Sequence, residues 1–187
     1  SVAFELTERM NRAGTPTDVL CAGETLRTTR EQAPAGYQII RAGSLGKLLS
    51  TSVSPALVLD SRRLLHGYDV VHVHAPDPMA ALAVWSARPR SRVVLHWHSD
   101  VVSQQRALKL YRPLQSWLLR RADAIVATSP AYAASSAWLQ PWRSKVSVIP
   151  IGISEPTVSP DDARVAAIRE RFGRRRLVFS LGRMTYY

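Results

Sequence analysis

Cysteine is nearly absent from this sequence, and the single residue, Cys21, cannot form a disulfide within the chain. This excludes a small secreted module that is held together by disulfides. Cys21 lies in an apolar stretch, so we expect it to be a small core residue.

Long apolar runs are also missing. The longest candidates, such as residues 80–84, fall far short of the ~20 residues that a membrane-spanning helix needs. The first ten residues carry Glu5 and Glu8 where a secretory signal peptide would carry basic residues. They resemble the middle of an amphipathic helix. We therefore expect a piece of a longer protein that is located in the cytoplasm.

Acidic residues are scarce, because 14 Asp and Glu face 25 Lys and Arg and leave a net charge of +11. Such an excess predicts an acidic partner, which is a nucleic acid, an anionic membrane or a phosphorylated small molecule. Hydrophobic residues make up 46% of the chain and charged residues 21%, which is typical of a folded globular protein and excludes a disordered one.

Short β-branched runs alternate with helical patterns along the chain. We predict strands over 18–22, 37–40, 69–74, 92–98, 123–128, 145–149 and 177–181, and helices over 2–10, 55–66, 78–88, 104–121, 131–139 and 161–172. Apolar strands separated by helices predict an α/β fold, a Rossmann-like parallel sheet with helices on both faces. A linker with two prolines, 154–162, divides a domain at 1–150 from the start of a second at 151–187.

Two His-x-His pairs, His72 with His74 and His96 with His98, end neighbouring predicted strands. Residues two apart on a strand share a face, so each pair could present two imidazoles to zinc, with Asp100 nearby. In the other interpretation, one histidine of each pair is a core residue and the other lines a pocket. No cysteine cluster and no His-Glu-x-x-His motif supports a metal, so we expect none.

Polar residues follow three of the predicted strands at their carboxyl ends, where parallel sheets bind their ligands. His98 and Asp100 could hydrogen-bond the hydroxyls of a sugar or polyol. Ser129 precedes Pro130 and could cap a helix or leave N–H groups for an anion. Gly182 and Arg183 could hold a phosphate, although a dinucleotide fingerprint and a P-loop are both absent.

The predicted helix 104–121 is basic and amphipathic, with no acidic residue. Such a helix can lie on an anionic membrane surface. It could equally be a helix that covers the sheet and exposes a solvated face, and no nucleic-acid recognition module matches it. Its basic residues are Arg106, Lys109, Arg112, Arg120 and Arg121.

Five motifs then follow one another in a recognisable order: DVVHVHAPDP, HWHSD, RRADAIVATSPAY, VIPIGI and FSLGRMTYY. In this order they resemble the family 4 retaining glycosyltransferases of the GT-B fold. Within that family the chain is similar to bacterial mannosyltransferases of exopolysaccharide or lipopolysaccharide assembly. These use a nucleotide sugar and often a lipid-linked saccharide acceptor.

The resemblance implies roles for particular residues. His98 and Asp100 match the acceptor-domain residues near the reacting sugar, and we take them as catalytic. His74 and Ser129 would bind substrate. Gly182 and Arg183 would bind the donor diphosphate. The leaving group would be stabilised by positive charge, without a metal or other cofactor.

The resemblance also implies partners and a location. We expect transfer of mannose from GDP-mannose to a lipid-linked acceptor at the inner face of the plasma membrane, with no nucleic acid involved. The family's first strand and glycine-rich loop would precede Ser1, and its lysine and a distant pair of glutamates would follow Tyr187. We therefore expect this chain to be mainly the acceptor half, which would be inactive alone. A zinc hydrolase that uses the His-x-His pairs and a basic nucleic-acid-binding module remain the alternatives.

Overall fold

The structure is a computed structural model, and it describes residues 2–48, 51–101, 105–152, 161–173 and 175–178, without the side chains of 105–108. The chain divides into two compact units, Ser1–Ile151 and Gly152–Tyr187. Their assignment as acceptor and donor domains stays a prediction. Gly182, Arg183 and nearly all of the predicted linker lie outside the described residues.

Short strands make up the sheets of the first unit. They are β1 (Val19–Ala22), β2 (Thr29–Gln32), β3 (Gln38–Ala42), β4 (Lys47–Leu48), β5 (Thr51–Ser52), β6 (Val70–Ala75), β7 (Arg92–Trp97), β8 (Ala124–Ala127) and β9 (Val146–Val148).

Helices separate the strands from β5 onwards, one further helix precedes β1 and another follows β9. They are α1 (Val2–Arg12), α2 (Pro55–Leu64), α3 (Pro78–Ala87), α4 (Gln105–Arg121), α5 (Pro130–Ser135) and α6 (Asp162–Phe172), with 3-10 turns at Leu65–Gly67 and Gln140–Lys145.

The main sheet has four parallel strands in the order β6-β7-β8-β9. Its register places His74 opposite His96, and His96 opposite Val126. Because the strands are parallel, their carboxyl ends lie at one edge of the sheet. The α/β fold with a parallel sheet and flanking helices is therefore confirmed.

A second sheet departs from the prediction in one strand. In the order β1-β3-β2, β1 pairs with β3 in parallel, whereas β2 runs antiparallel to β3. All four residues of β2 are exposed and none is apolar. Hydrophobic periodicity could not predict this strand, because none of its side chains is buried. Hydrogen bonds to β3 stabilise it instead. The strands β4 and β5 were missed because two residues are too few to show an alternating pattern.

The core lies against one face of the main sheet. Alternate residues of the strands point to this face, among them Val71, Leu95 and Trp97. Helices α3 and α4 cover it with buried aliphatic side chains, including Val84 and Leu118. We call this side of the sheet the core face. A smaller cluster joins Ala42 of β3, Leu57 of α2 and Ala83 of α3.

Side-chain caps fix where three helices begin. Ser54 caps α2 and Asp77 caps α3 by accepting hydrogen bonds from backbone N–H groups of the first turn, and Ser129 does the same for α5. Helix α5 ends at Ser135, so the predicted end at residue 139 is wrong. Ser136 leaves the helical conformation with φ −69° and ψ 114°, and its side chain is buried.

In the second unit, α6 begins after the cap Asp161, whose carboxylate accepts hydrogen bonds from Ala163 N and Arg164 N. It ends at Gly173, which adopts a φ of +57° that glycine tolerates best. A strand was predicted over 177–181. Residues 177–178 are described without strand structure, and the remainder lies outside the described residues.

Gly43 provides a test of the packing at the carboxyl end of β3. Its N–H donates to Thr28 Oγ1 over 3.0 Å, and its carbonyl accepts from Ser54 Oγ over 2.7 Å. A Cβ at this position would overlap the backbone carbonyl of Leu26. We therefore expect Gly43→Ala to lower the free energy of unfolding by about 1–3 kcal/mol, measured by urea denaturation.

The matched control is Gly67→Ala, because a Cβ at Gly67 would meet no atom within 4 Å. We expect this variant to change the free energy of unfolding by less than about 1 kcal/mol. Equal stabilities of the two variants would contradict the close approach at Gly43.

Candidate functional site

Four histidines lie together on the face of the main sheet opposite the core face. His72 and His74 come from β6, His96 from β7, and His98 directly follows β7. Their positions two apart along each strand place all four rings on one side. The rings stack with centroids 4.4 Å apart for His96 and His98 and 5.0 Å for His72 and His74. We call these residues the histidine cluster.

His74 and His98 are joined directly at the carboxyl edge of the sheet. His74 Nδ1 and His98 Nε2 lie 2.8 Å apart, and one ring donates to the other according to their tautomers. The backbone supports this pair, because His98 N–H donates to the carbonyl of Ala75 over 2.9 Å and so extends the pairing of β6 with β7. His74 and His98 therefore meet at the carboxyl edge of the sheet.

The histidine cluster is electrostatically unusual. Burial, and then the neighbouring histidines His72, His98 and His96, lower the pKa of His74 to about 3. Burial, and then His98 and His72, lower the pKa of His96 to about 4. The pKa values of His72 and His98 are also lowered, mainly by burial. All four rings are therefore neutral at pH 7, so each can both donate and accept a hydrogen bond.

Some ring nitrogens of the cluster are buried without a protein partner. Within the described part of the chain, His72 Nε2 and both ring nitrogens of His96 have no hydrogen bond. One nitrogen each from His72, His74 and His96 lie within 4.8 Å of one another. Three imidazole nitrogens at this spacing are the donor set that could hold a metal ion. This set takes one residue from the second His-x-His pair and does not include Asp100, whereas the sequence suggested that each pair could bind zinc with Asp100 nearby.

Asp100 accepts hydrogen bonds from three side chains. Its Oδ1 accepts from the buried indole Nε1 of Trp97 over 2.8 Å and from the hydroxyl of Tyr132 over 2.6 Å. The Ser136 hydroxyl lies 2.9 Å from Oδ1 and 3.0 Å from Oδ2. Burial and the bond to Asp100 raise the pKa of Tyr132 to about 12, so the phenol remains a donor. Asp100 therefore ties the end of β7 to α5.

Ser129 belongs to the same group of residues. Its hydroxyl oxygen accepts from the backbone N–H of Tyr132 over 3.2 Å and caps α5. Because Tyr132 also bonds Asp100, the two predicted site residues are connected through one helical turn. Ser129 follows β8 as His98 follows β7, and the two strands are parallel. The residues thus share the carboxyl edge, while the roles assigned to them stay predictions.

Sequence reasoning missed Tyr132 and Ser136 as site residues. A signal for Tyr132 was present, because a cap at Ser129 puts the residue three positions later on the first turn of the helix. Nothing in the local pattern indicated Ser136. It reaches Asp100 only because α5 stops at Ser135.

A polar recess of about 590 Å³ lies at the opposite edge of the main sheet. It is next to the amino ends of β6 and β7, whereas ligands of parallel sheets bind at carboxyl ends. We therefore place the candidate site at the histidine cluster and Asp100. The recess is lined by His66, Tyr68, Asp69, Arg90, Ser91 and Arg92.

Two basic residues of α4 contact other parts of the first unit. Arg121 donates to Asp123 Oδ2 and to the carbonyls of Pro89 and Ser91. Arg112 lies over the ring of Trp138, with Cζ 5.4 Å from its centroid. Over the ranges that the structure covers, no helix combines the length and the apolar character that crossing a membrane requires.

The lowered pKa values predict how stability depends on pH. The unfolded chain takes up protons on these histidines below pH 6.5, whereas the folded chain does so only near pH 4 at His96 and pH 3 at His74. The free energy of unfolding should therefore fall as the pH decreases from 7 towards 4. The slope is at most about 1.4 kcal/mol per pH unit for each histidine.

Urea denaturation at pH 7.5 and 5.5 measures this loss. We expect His96→Leu to reduce the difference between the two pH values by roughly 1 kcal/mol, because one titrating group is removed. His66→Leu is the control, since His66 is exposed and lies outside the histidine cluster. An unchanged difference in His96→Leu would contradict the lowered pKa of that ring.

Comparison with known proteins agrees with the motifs. The O-antigen chain mannosyltransferase C of Escherichia coli is 35% identical over 189 residues, which is 100% of this chain and 50% of that protein. The D-rhamnosyltransferase WbpZ of Pseudomonas aeruginosa is 35% identical over 156 residues, which is 82% of this chain and 41% of that protein. The chain thus spans about half the length of the curated relatives it matches.

These matches do not favour the zinc hydrolase or the nucleic-acid-binding module. A family model described as Glycosyltransferase Family 4 matches residues 1–155, a range that contains the main sheet, the histidine cluster and Asp100. From its motifs, its parallel sheet and this match, we conclude that the chain belongs to glycosyltransferase family 4.

Proposed function

We propose that the protein takes part in a retaining transfer of mannose from GDP-mannose to a lipid-linked saccharide during bacterial polysaccharide assembly. The observation that carries this proposal is the His74–His98 pair at the carboxyl edge of the sheet. It presents a neutral, oriented imidazole where a parallel α/β sheet binds its ligands. The name of the Escherichia coli relative supports mannose as the sugar.

In this proposal His98 contacts the reacting sugar. Its Nε2 is engaged with His74 Nδ1, so its Nδ1 is the atom that meets a sugar hydroxyl. The lowered pKa of His98 keeps the ring neutral, and a neutral ring hydrogen-bonds a hydroxyl without attracting a competing anion. His74 binds substrate indirectly in this arrangement, because it fixes the orientation of the His98 ring.

In this proposal Asp100 is the second residue that contacts the reacting sugar. Its Oδ1 already accepts from Trp97 and Tyr132, whereas Oδ2 accepts only from Ser136 among the hydrogen bonds of the described residues. Oδ2 therefore has acceptor capacity for a substrate hydroxyl. The bonds at Oδ1 hold the carboxylate in place, and such fixed polar groups stabilise a transition state without reorganising. Ser129 would bind substrate at the same carboxyl edge of the sheet.

The donor side of the proposal rests on the sequence resemblance. Gly182 would allow close approach of the diphosphate, and the Arg183 guanidinium would bind it through two parallel hydrogen bonds. When the bond between the sugar and the diphosphate breaks, negative charge grows on the phosphate oxygens. Arg183 would stabilise that charge, so the proposed transfer needs neither a metal nor another cofactor.

We also propose that the protein works at the cytoplasmic face of the plasma membrane, where a lipid-linked acceptor is found. Helix α4 exposes Leu110 to 87%, and the neighbouring Lys109 and Arg112 are also exposed. An apolar side chain flanked by cations suits an anionic membrane surface. Arg121 does not contribute, because its guanidinium bonds Asp123 and two carbonyls.

The first test compares His98 with Asp100 in an enzyme that carries this chain together with a donor-binding domain. We expect His98→Gln to lower kcat with GDP-mannose by about 100-fold, with a change in stability below about 1 kcal/mol. Asp100→Ala should in addition lower the free energy of unfolding by about 2–3 kcal/mol, because the buried Trp97 N–H loses its carboxylate acceptor.

His66→Gln is the control for both variants and should keep full activity. NMR of the product reports the configuration of the new glycosidic bond, and other nucleotide sugars replace GDP-mannose in parallel assays. Full activity of His98→Gln would contradict the role of His98, and an inverted product would contradict retention.

The second test measures binding to vesicles in a sedimentation assay. We expect the 187-residue chain to bind vesicles of anionic phospholipid and to leave them as salt rises, because screening weakens the attraction. Lys109→Gln should weaken binding about fivefold, which corresponds to about 1 kcal/mol for one cation.

Leu110→Ser should also weaken vesicle binding. The control is Leu59→Ser, because Leu59 is a leucine that is 55% exposed on a different helix, α2. Equal binding to neutral and anionic vesicles, or an equal effect of Leu59→Ser, would overturn the membrane proposal.

A further inference from the structure

The histidine cluster contains more convergent imidazole nitrogens than the proposed transfer uses. His98 and His74 account for one hydrogen-bonded contact. His72 and His96 lie behind them on the same face, and His96 is only 6% exposed. The transfer reaction assigns no role to either ring, yet both stack against His74, with ring centroids 5.0 Å and 5.1 Å from it.

We propose that His72, His74 and His96 bind one divalent transition-metal ion, with zinc the best match to the donor set. One nitrogen from each ring already lies within 4.8 Å of the other two. Zinc with imidazole ligands at about 2.0–2.1 Å requires nitrogens roughly 3.3 Å apart. The rings are stacked with interplanar angles of 6° to 23°, so they must turn out of this stack for their nitrogens to meet on one ion. The paired strands β6 and β7 hold the three Cα positions.

The unpartnered nitrogens give independent support. His72 Nε2 and both nitrogens of His96 are buried, and no hydrogen bond to them exists among the residues that the structure describes. A buried polar atom without a partner is unfavourable, so such atoms in a folded protein need an explanation. A bound ion would satisfy His72 Nε2 and one nitrogen of His96 at the same time.

The ligand nitrogen of His74 follows from its other contact. His74 Nδ1 is occupied by His98 Nε2, which leaves Nε2 for the ion. A metal-bound imidazole usually donates its second N–H to an acceptor, and this bond fixes its tautomer. Here His98 Nε2 would be that acceptor, so the ion would set the tautomer of His98 without touching it. His98 is therefore a positioning residue for the ion.

The chemistry of the donor set predicts which ions bind. Neutral imidazoles suit Zn²⁺, Co²⁺, Ni²⁺ and Cu²⁺, whereas Mg²⁺ and Ca²⁺ require oxygen ligands. The ion that we propose is not part of the sugar transfer, which needs no metal in the function proposed above. Zinc binding and sugar transfer are measured separately, so failure of one proposal can be distinguished from failure of the other.

The test uses the 187-residue chain without an affinity tag, freed of metal with a chelator and titrated with Zn²⁺ by calorimetry. We expect one ion per chain, with no competition from millimolar Mg²⁺. His72→Gln, His74→Gln and His96→Gln should each weaken binding more than about 100-fold, because each removes a ligand. His66→Gln, which changes the fifth histidine, should leave binding unchanged.

His98→Gln distinguishes the positioning residue from the three ligands. It should keep one ion per chain and weaken binding by about 10-fold, because only the acceptor for His74 is altered. Abolished binding in His98→Gln together with unchanged binding in His72→Gln would overturn the proposed ligand set.

Two measurements keep the proposal testable where a variant fails to fold. Circular dichroism identifies such a variant, and X-ray absorption at the zinc edge counts the imidazole ligands in the unaltered chain. Three imidazoles on the zinc would support the site. No stoichiometric zinc, or fewer than three imidazoles, would overturn it.

Discussion

The register between β6 and β7 is the constraint on which the rest of the site depends. It places His74 directly opposite His96, and His98 N–H bonds the carbonyl of Ala75 where the two strands end. Because side chains alternate along a strand, a shift of one residue would move the histidines to the core face and bring Leu95 and Trp97 out of it. The apolar core therefore selects the register, and the register assembles the histidine cluster.

The two faces of the main sheet carry different physical chemistry. Aliphatic and aromatic side chains fill the core face, and helices α3 and α4 cover it. The opposite face gathers four imidazoles whose pKa values are lowered mainly by burial. Keeping these rings neutral lets them stack and hydrogen-bond one another, whereas protonated rings at the same distances would repel.

Asp100 links the core to the site. Its carboxylate accepts from Trp97, which is fully buried on the core face, and from Tyr132 and Ser136 at the two ends of α5. The position of α5, and with it Ser129, is thus fixed relative to the end of β7. One carboxylate therefore couples core packing to the arrangement of polar groups at the carboxyl edge, as expected of a preorganised site.

Much of this protein follows from local pattern. Apolar runs separated by helices predicted the parallel sheet, and the motifs around His98, Asp100 and Ser129 predicted the family. Local pattern failed where contacts between residues distant in the sequence determine the structure. The exposed strand β2 is held by hydrogen bonds to β3, and α5 ends where Ser136 turns to reach Asp100, 36 residues away in the chain. Alternation along a strand is a local property, so the sequence was enough to predict most strands and which residues share a face. The grouping of His72, His74 and His96 and the hydrogen bond from Tyr132 to Asp100 depend on pairing between strands and packing between helices. These distances are therefore visible only in the three-dimensional structure.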